Sequence, residues 1–221
     1  NLSFSVGDDP AAVAENRRSF YAALGVAPEE LLTVGQVHGT RVLEVSEEHR
    51  GLDSLSPATI LPRSDALITA SPRCFLALTT ADCVPVFLYD PVHRGVGLAH
   101  AGWRGTAGRI AVLTLEAMER AFGTRPADCL AATGPAIRAC CYPVGPEVAG
   151  PVLATLGPLP PVLPERVDLL EINARQLEQA GVPPAAIDWD APCTCCHAAT
   201  FFSHRASGGR TGRGLAVLGL R

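Results

Sequence analysis

The pattern of the chain predicts a mixed α/β fold, with sheets covered by helices. Strand-like segments outnumber helical ones about two to one, and hairpin-like spacings sit beside strand–helix–strand units. The helical segments also carry recognisable start and stop residues. The first helix is placed at residues 11–24: Asp8-Asp9-Pro10 supplies acid caps and a first-turn proline, and Gly25 ends it. β-Branched or alternating segments follow at 31–37, 41–45, 66–69, 75–79, 84–89 and 95–100, divided by Gly, Pro and Asp. A second helix is expected over 106–122, capped by the Thr106 hydroxyl and closed by Gly123, then a strand at 129–133. Helices at 145–153 and 168–180 come next, the latter with Asp168 as cap, a Glu171/Arg175 pair and Gly181 after it. Short strands at 187–189, 199–202 and 215–220 finish the chain. The proline-rich run Gly157–Pro161 reads as a surface loop within one domain.

Composition narrows the function. The 221 residues are 48% hydrophobic and 18% charged, enough for a sizeable core and too apolar for global disorder. Acids number 22 against 18 bases, and no basic patch points to nucleic acid or an anionic membrane. Every base is Arg, which removes Schiff-base chemistry and the P-loop lysine. No G-x-x-x-x-G-K-[ST], G-x-G-x-x-G, G-x-S-x-G or H-E-x-x-H occurs, so P-loop ATPases, Rossmann dehydrogenases, elbow-type serine hydrolases and zincins all recede. Residues 1–9 show neither a basic n-region nor an apolar h-region, and the apolar stretch 75–86 is interrupted by Asp82 and too short to span a bilayer. With eight cysteines in a pattern unlike a secreted scaffold, the expectation is a reduced, cytoplasmic protein with free or metal-bound thiols.

Three segments put a metal-capable side chain at a strand edge beside turn-forming residues: Gln36-Val37-His38-Gly39-Thr40, Thr80-Ala81-Asp82-Cys83-Val84-Pro85 and Leu98-Ala99-His100-Ala101-Gly102-Trp103-Arg104-Gly105. Two imidazoles and a thiolate have the composition of an open catalytic zinc site, with one tetrahedral position left over. Spacing alone does not bring them together, and two turn histidines with a buried thiol fit the same letters. Pro192-Cys193-Thr194-Cys195-Cys196 matches half of the zinc deaminase signature, but no histidine is followed two residues later by Glu. Cys193, Cys195, Cys196 and His197 cannot easily surround one ion from five consecutive residues; Cys140-Cys141 would have to contribute, and half-buried free thiols are the expectation. Multicopper chemistry calls for His-x-His pairs, of which the six histidines make none.

Taken in order, the runs around His38, Asp65-Ala66-Leu67-Ile68-Thr69, Asp82-Cys83, His100–Gly105, Gly134-Pro135-Ala136-Ile137 and Phe201-Phe202-Ser203-His204-Arg205…Thr211-Gly212-Arg213 resemble the laccase-domain (YfiH-like) family. That family is also described as purine nucleoside phosphorylases and, formerly, polyphenol oxidases. The resemblance covers nearly the whole chain. It implies a single domain with a four-layer α/β/β/α fold and mixed β-sheets, the family pattern beginning some residues upstream of Asn1. It further implies a catalytic zinc held by His38, Cys83 and His100. The implied activities are phosphorolysis of adenosine, inosine, guanosine and methylthioadenosine, with deamination of adenosine. One departure is His204, where the family more often carries Tyr.

Deamination calls for a nucleophilic water at C6 of adenine, which an open zinc position supplies at neutral pH, and Asp82 is the candidate proton carrier. Phosphorolysis calls for phosphate set against C1′ of the ribose. Arg104, in a turn leading into a helix, and Arg41, three residues past His38, are the candidate phosphate ligands. Three alternatives stay open: a metal-free amidase of the peptidoglycan-precursor editing type, with Cys83 as nucleophile and His100 as base; a copper-dependent polyphenol oxidase; and a copper- or zinc-handling module built on the C-terminal cysteines. Copper binds almost any such N/S site in vitro. The expected partners are small molecules, purine nucleosides and phosphate.

Overall fold

The computed structural model of the chain describes residues 1–52, 54–56 and 61–221. α1 (Pro10–Leu24) starts where Asp9 accepts a hydrogen bond from Ala11 N, and it ends at Gly25, whose φ of 66° is the left-handed cap that glycine adopts at least cost. β1 (Leu31–Thr33) and β2 (Val42–Glu44) follow, then β3 (Ala66–Thr69), β4 (Phe75–Thr80), β5 (Val84–Asp90) and β6 (Gly95–Ala101). β1 and β2 are shorter than the sequence predicts because residues 34–41 form a loop whose N–H groups bond a carboxylate rather than a neighbouring strand. α2 (Trp103–Ala107), α3 (Ile110–Phe122), β7 (Leu130–Thr133), α4 (Pro146–Leu153), α5 (Leu169–Gln179), β8 (Ile187–Asp188) and β9 (Gly214–Leu218) complete the chain.

Two expectations are corrected. The helix expected over 106–122 is two helices, because Arg109 sits at φ 59° and breaks the ladder between α2 and α3. Thr106 is therefore no cap; it is buried in α2, where its hydroxyl accepts from Asn173 Nδ2 of α5 at 2.9 Å. Residues 199–202 form no strand either. Thr200 N and Phe201 N bond back to His197 O in a tight turn rather than to a neighbouring strand.

The strands form a three-stranded sheet, ordered β1-β4-β9, and a six-stranded sheet, ordered β2-β3-β6-β5-β7-β8, both mixing parallel and antiparallel pairs. Their side chains sort into layers by the two-residue period of a strand. Phe75 and Ala77 of β4 pack with Tyr21 of α1, while Leu76 and Leu78 face the larger sheet. On that sheet Leu67 of β3, Phe87 of β5 and Leu98 of β6 fill the space between sheets. Ile68, Val86 and Ala99 lie on the opposite face, against Ile110, Leu115 and Met118 of α3 and Leu170 and Leu177 of α5. The result is the expected four-layer α/β/β/α arrangement. Among the described residues no helix is long and apolar enough to cross a membrane.

The same period positions the chemistry. β5 and β6 pair with Pro85 opposite His100, and β3 and β6 with Ala66 opposite Ala99. Asp65 therefore lies across from His100, and the residues with odd numbers on β3 and β5 share the inter-sheet face with the even ones on β6. Asp65, Cys83 and His100 thus come from three adjacent strands to one end of one face.

Candidate active site

His100 is nearly buried, and its Nδ1 lies 3.0 Å from Asp65 Oδ1, which leaves Nε2 facing away from the carboxylate. Asp65 is fully buried and accepts from three consecutive backbone donors as well: Val37 N at 3.1 Å, His38 N at 2.9 Å and Gly39 N at 2.7 Å. One carboxylate thus orients His100 and folds the loop that carries His38. A second brace comes from Gln36, whose amide pairs with the backbone N and O of Thr79 at the end of β4.

His38, Cys83 and His100 present ligand atoms that all lie within 4.8 Å of one another. The two imidazoles meet edge to face with centroids 4.9 Å apart. Exposure is graded: His38 is open to solvent, Cys83 half-buried and His100 nearly buried. His38 and Asp82 are among five non-glycine residues of the described chain with positive φ, at 59° and 85°. Such backbone is strained by roughly 1–3 kcal/mol per residue and persists where surrounding bonds hold it. For Asp82 those bonds are from Thr194 Oγ1 at 2.6 Å and Arg205 N at 2.7 Å, one to each carboxylate oxygen. Both oxygens of Asp82, the candidate proton carrier, are thus engaged in tying the turn before Cys83 to the C-terminal loops, while the residue still lines the cavity beside the cluster. Gly102 abuts the cluster so closely that a Cβ there would stand 3.0 Å from Cys83 Sγ and 3.4 Å from His38 Cδ2.

Desolvation opposes ionisation of Cys83, but hydrogen bonds with His100 and His38 outweigh it and bring the thiol down to about 6. Burial likewise opposes charge on His100, yet its bonds to Asp65 and Cys83 raise it to about 9. Burial resists the Asp65 charge too, and His100 with the Gly39 and Val37 amides still holds its carboxyl below the usual range. Without metal the group at neutral pH is therefore a thiolate, an imidazolium and a carboxylate in a row.

The cluster opens into a cavity of about 790 Å³ at the mouth between the sheets, reached by Thr33 and Thr79 of the small sheet and by Trp103, Tyr142 and His204. Among the described residues five arginines line it (Arg17, Arg63, Arg104, Arg205 and Arg213), against one acid, Asp82. Of the two expected phosphate ligands, Arg104 is there, its guanidinium 4.3 Å above the Trp103 ring. Arg41 is not: it is exposed and does not line the cavity, because the left-handed turn at His38 sends the chain away before it. α2 spans only five residues, so it adds no helix dipole of note beside Arg104. Sequence reasoning missed Asp65 as an organiser and missed four of the five arginines. An acid just before an apolar strand was the available sign for the first; the arginines come from segments that only the fold brings together.

The purine nucleoside phosphorylase YlmD of Geobacillus stearothermophilus is 42% identical over 229 residues, covering 100% of this chain and 83% of that protein. Adenosine deaminase RL5, from an unknown prokaryotic organism, is 36% identical over 220 residues, covering 96% and 84%. Among solved structures, the hypothetical protein YfiH of Bacillus licheniformis superposes with a TM-score of 0.93 at 37% identity, covering 100% of this chain and 85% of that one. The family model described as multi-copper polyphenol oxidoreductase laccase matches residues 1–221, and the chain belongs to that family.

Proposed function

We propose that the chain is a cytoplasmic, zinc-dependent purine nucleoside enzyme that cleaves nucleosides with phosphate and deaminates adenosine. The observation that carries this reading is the open His38–Cys83–His100 cluster at the floor of an arginine-lined cavity. Its volume suits a nucleoside, and its excess of guanidinium suits an anionic second substrate. Relatives named for both reactions add support, and eight free thiols suit a reducing compartment.

The donor set fits the metal. Two imidazoles and a thiol, one imidazole braced through its other nitrogen by a carboxylate, match an open zinc site, and the same atoms would accept copper. When bound, such an ion supplies Lewis acidity, polarising a substrate atom and making water a stronger acid. In phosphorolysis a phosphate oxygen bonds to C1′ as the C1′–N9 bond breaks and the departing purine gains a proton. Arg104, Arg205 and Arg63 offset the phosphate charge, and Trp103 and Tyr142 flank the base. In deamination water adds at C6 and ammonia leaves; Asp82 contributes by keeping the Cys83 turn in place.

The deciding assay incubates zinc-loaded protein with adenosine, with and without phosphate, and separates adenine from inosine. Adenine is expected only with phosphate, inosine without it, and neither after chelation until zinc is restored. Zinc-loaded protein that yields neither product overturns the reading.

A second reading is favoured by one observation: Cys83, His100 and Asp65 form a thiolate–imidazolium–carboxylate series, the arrangement of a cysteine hydrolase. That enzyme would hydrolyse an amide with chelator present and accept a covalent label on Cys83 during turnover.

The protonation pattern is itself testable. In metal-free protein, alkylation of Cys83 is expected to rise with a midpoint near pH 6 rather than near the ordinary thiol value. Zinc must then displace the His100 proton, which is held up to about 9, so affinity should climb about tenfold per pH unit between those two values and level off above them. An affinity flat from pH 6 to 9 contradicts this pattern.

A further inference from the structure

A second group of soft donors lies outside the cavity. Cys140 and Cys141, on the short turn Ala139–Cys141, meet Cys193 and Cys196 from the loop after β8, and the four sulfurs all lie within 4.8 Å of one another. Cys196 Sγ is 3.5 Å from Cys140 Sγ and 3.4 Å from Cys141 Sγ. These separations are far beyond a disulfide bond of about 2.05 Å. They match a tetrathiolate, in which zinc–sulfur bonds of about 2.3 Å put sulfurs about 3.8 Å apart.

We propose that Cys140, Cys141, Cys193 and Cys196 bind a structural zinc ion as a closed four-sulfur site. Cys193 and Cys196 have the C-x-x-C spacing of a zinc-binding knuckle. The N–H of Arg138 points at Cys193 Sγ from 3.4 Å, joined by those of Cys195 and Cys196, and amide donors of this kind stabilise a metal-bound thiolate. Arg166 bonds Ala139 O and Cys140 O, placing positive charge beside a centre that carries net negative charge. A four-sulfur tetrahedral set selects zinc or an iron–sulfur cluster, and sulfurs this close enclose a single ion rather than several irons. Cys140 and Cys196 are exposed, which gives the metal a path in. His197 takes no part through Nδ1, which lies 3.0 Å from Cys193 O. Residues 193–197 contribute two of the four sulfurs, and the other two come from 140–141.

This ion would brace the known cavity from behind. Thr194, between two of the ligands, donates to Asp82; Ile137 N donates to Asp82 O; and Ala136 pairs with residues 192–194. The turn before Cys83 thus hangs on the two segments that the four thiols join.

The test is metal content and thiol protection, independent of turnover. Reduced protein loaded with zinc and desalted is expected to hold two equivalents, Cys196→Ser one, and Cys83→Ala one. In the unmutated protein zinc should protect Cys140, Cys141, Cys193 and Cys196 from alkylation while Cys195 still reacts. Cobalt in place of zinc should give the intense charge-transfer and d–d bands of a tetrahedral thiolate centre, bands lost in Cys196→Ser and kept in Cys83→Ala. Four thiols that remain as reactive with zinc as without it, or a cobalt spectrum unchanged by Cys196→Ser, overturn the proposal.

Discussion

Asp65→Ala is expected to destabilise the fold by about 3–5 kcal/mol and to strip most of the metal affinity from the His38–Cys83–His100 group. The size follows from how many bonds end on one buried carboxylate: three amides of residues 37–39 and the His100 ring. Removing it leaves an imidazole without its orienting partner and a loop without its anchor, so two of the three ligands lose position together. Asp65→Asn separates the effects, since it keeps the shape but swaps one acceptor oxygen for a donor. We expect it to fold with a smaller loss and to bind zinc about 10–100-fold more weakly. Thermal unfolding and competition with a chromophoric chelator measure the two quantities, and an Asn variant with unchanged zinc affinity would remove Asp65 from the site.

Asp65 also marks where reading the sequence stops. Elements with local signals were legible: the Asp9-Pro10 start of α1, its Gly25 stop, and β3 to β6 to within a residue. The three ligands were legible as types at strand edges. Their convergence was not, because it depends on the register that sets Pro85 and Asp65 against His100 and its neighbours, a long-range choice no local spacing encodes. The break at Arg109 had a local sign that was passed over: Gly108, a poor helix former, caps α2 just before the left-handed Arg109, while Thr106 ties α2 to α5. Arg41 misled for the opposite reason. It is near His38 in sequence, but the left-handed backbone at His38 itself turns the chain away, so adjacency in the chain did not become adjacency in space. The two pairs of thiols repeat the lesson, more than 50 residues from each other along the chain and one van der Waals contact apart in the fold.

Cys83→Ala is expected to abolish nucleoside turnover to the level of the chelated protein, and the companion change Cys83→Asp decides what the sulfur does. If Cys83 is a ligand, the carboxylate oxygen of Asp is an acceptable zinc donor beside two imidazoles, so Cys83→Asp should retain zinc and a measurable fraction of the activity. If Cys83 is a nucleophile, the carboxylate cannot replace the thiolate in forming the covalent intermediate, and Cys83→Asp should be as inactive as Cys83→Ala. The geometry favours the first outcome. A nucleophile needs one base within reach, whereas this sulfur sits between two imidazoles whose ring centroids are only 4.9 Å apart, with Gly102 leaving no side chain between them. In a thiol hydrolase His38 would be redundant, and His38→Ala would leave amide hydrolysis nearly intact. In a metal site it is one donor of three, and its loss should cost zinc affinity and nucleoside turnover together. Zinc content and product formation measured on the same three variants therefore separate the mechanisms, since only ligation makes the two quantities fall in step.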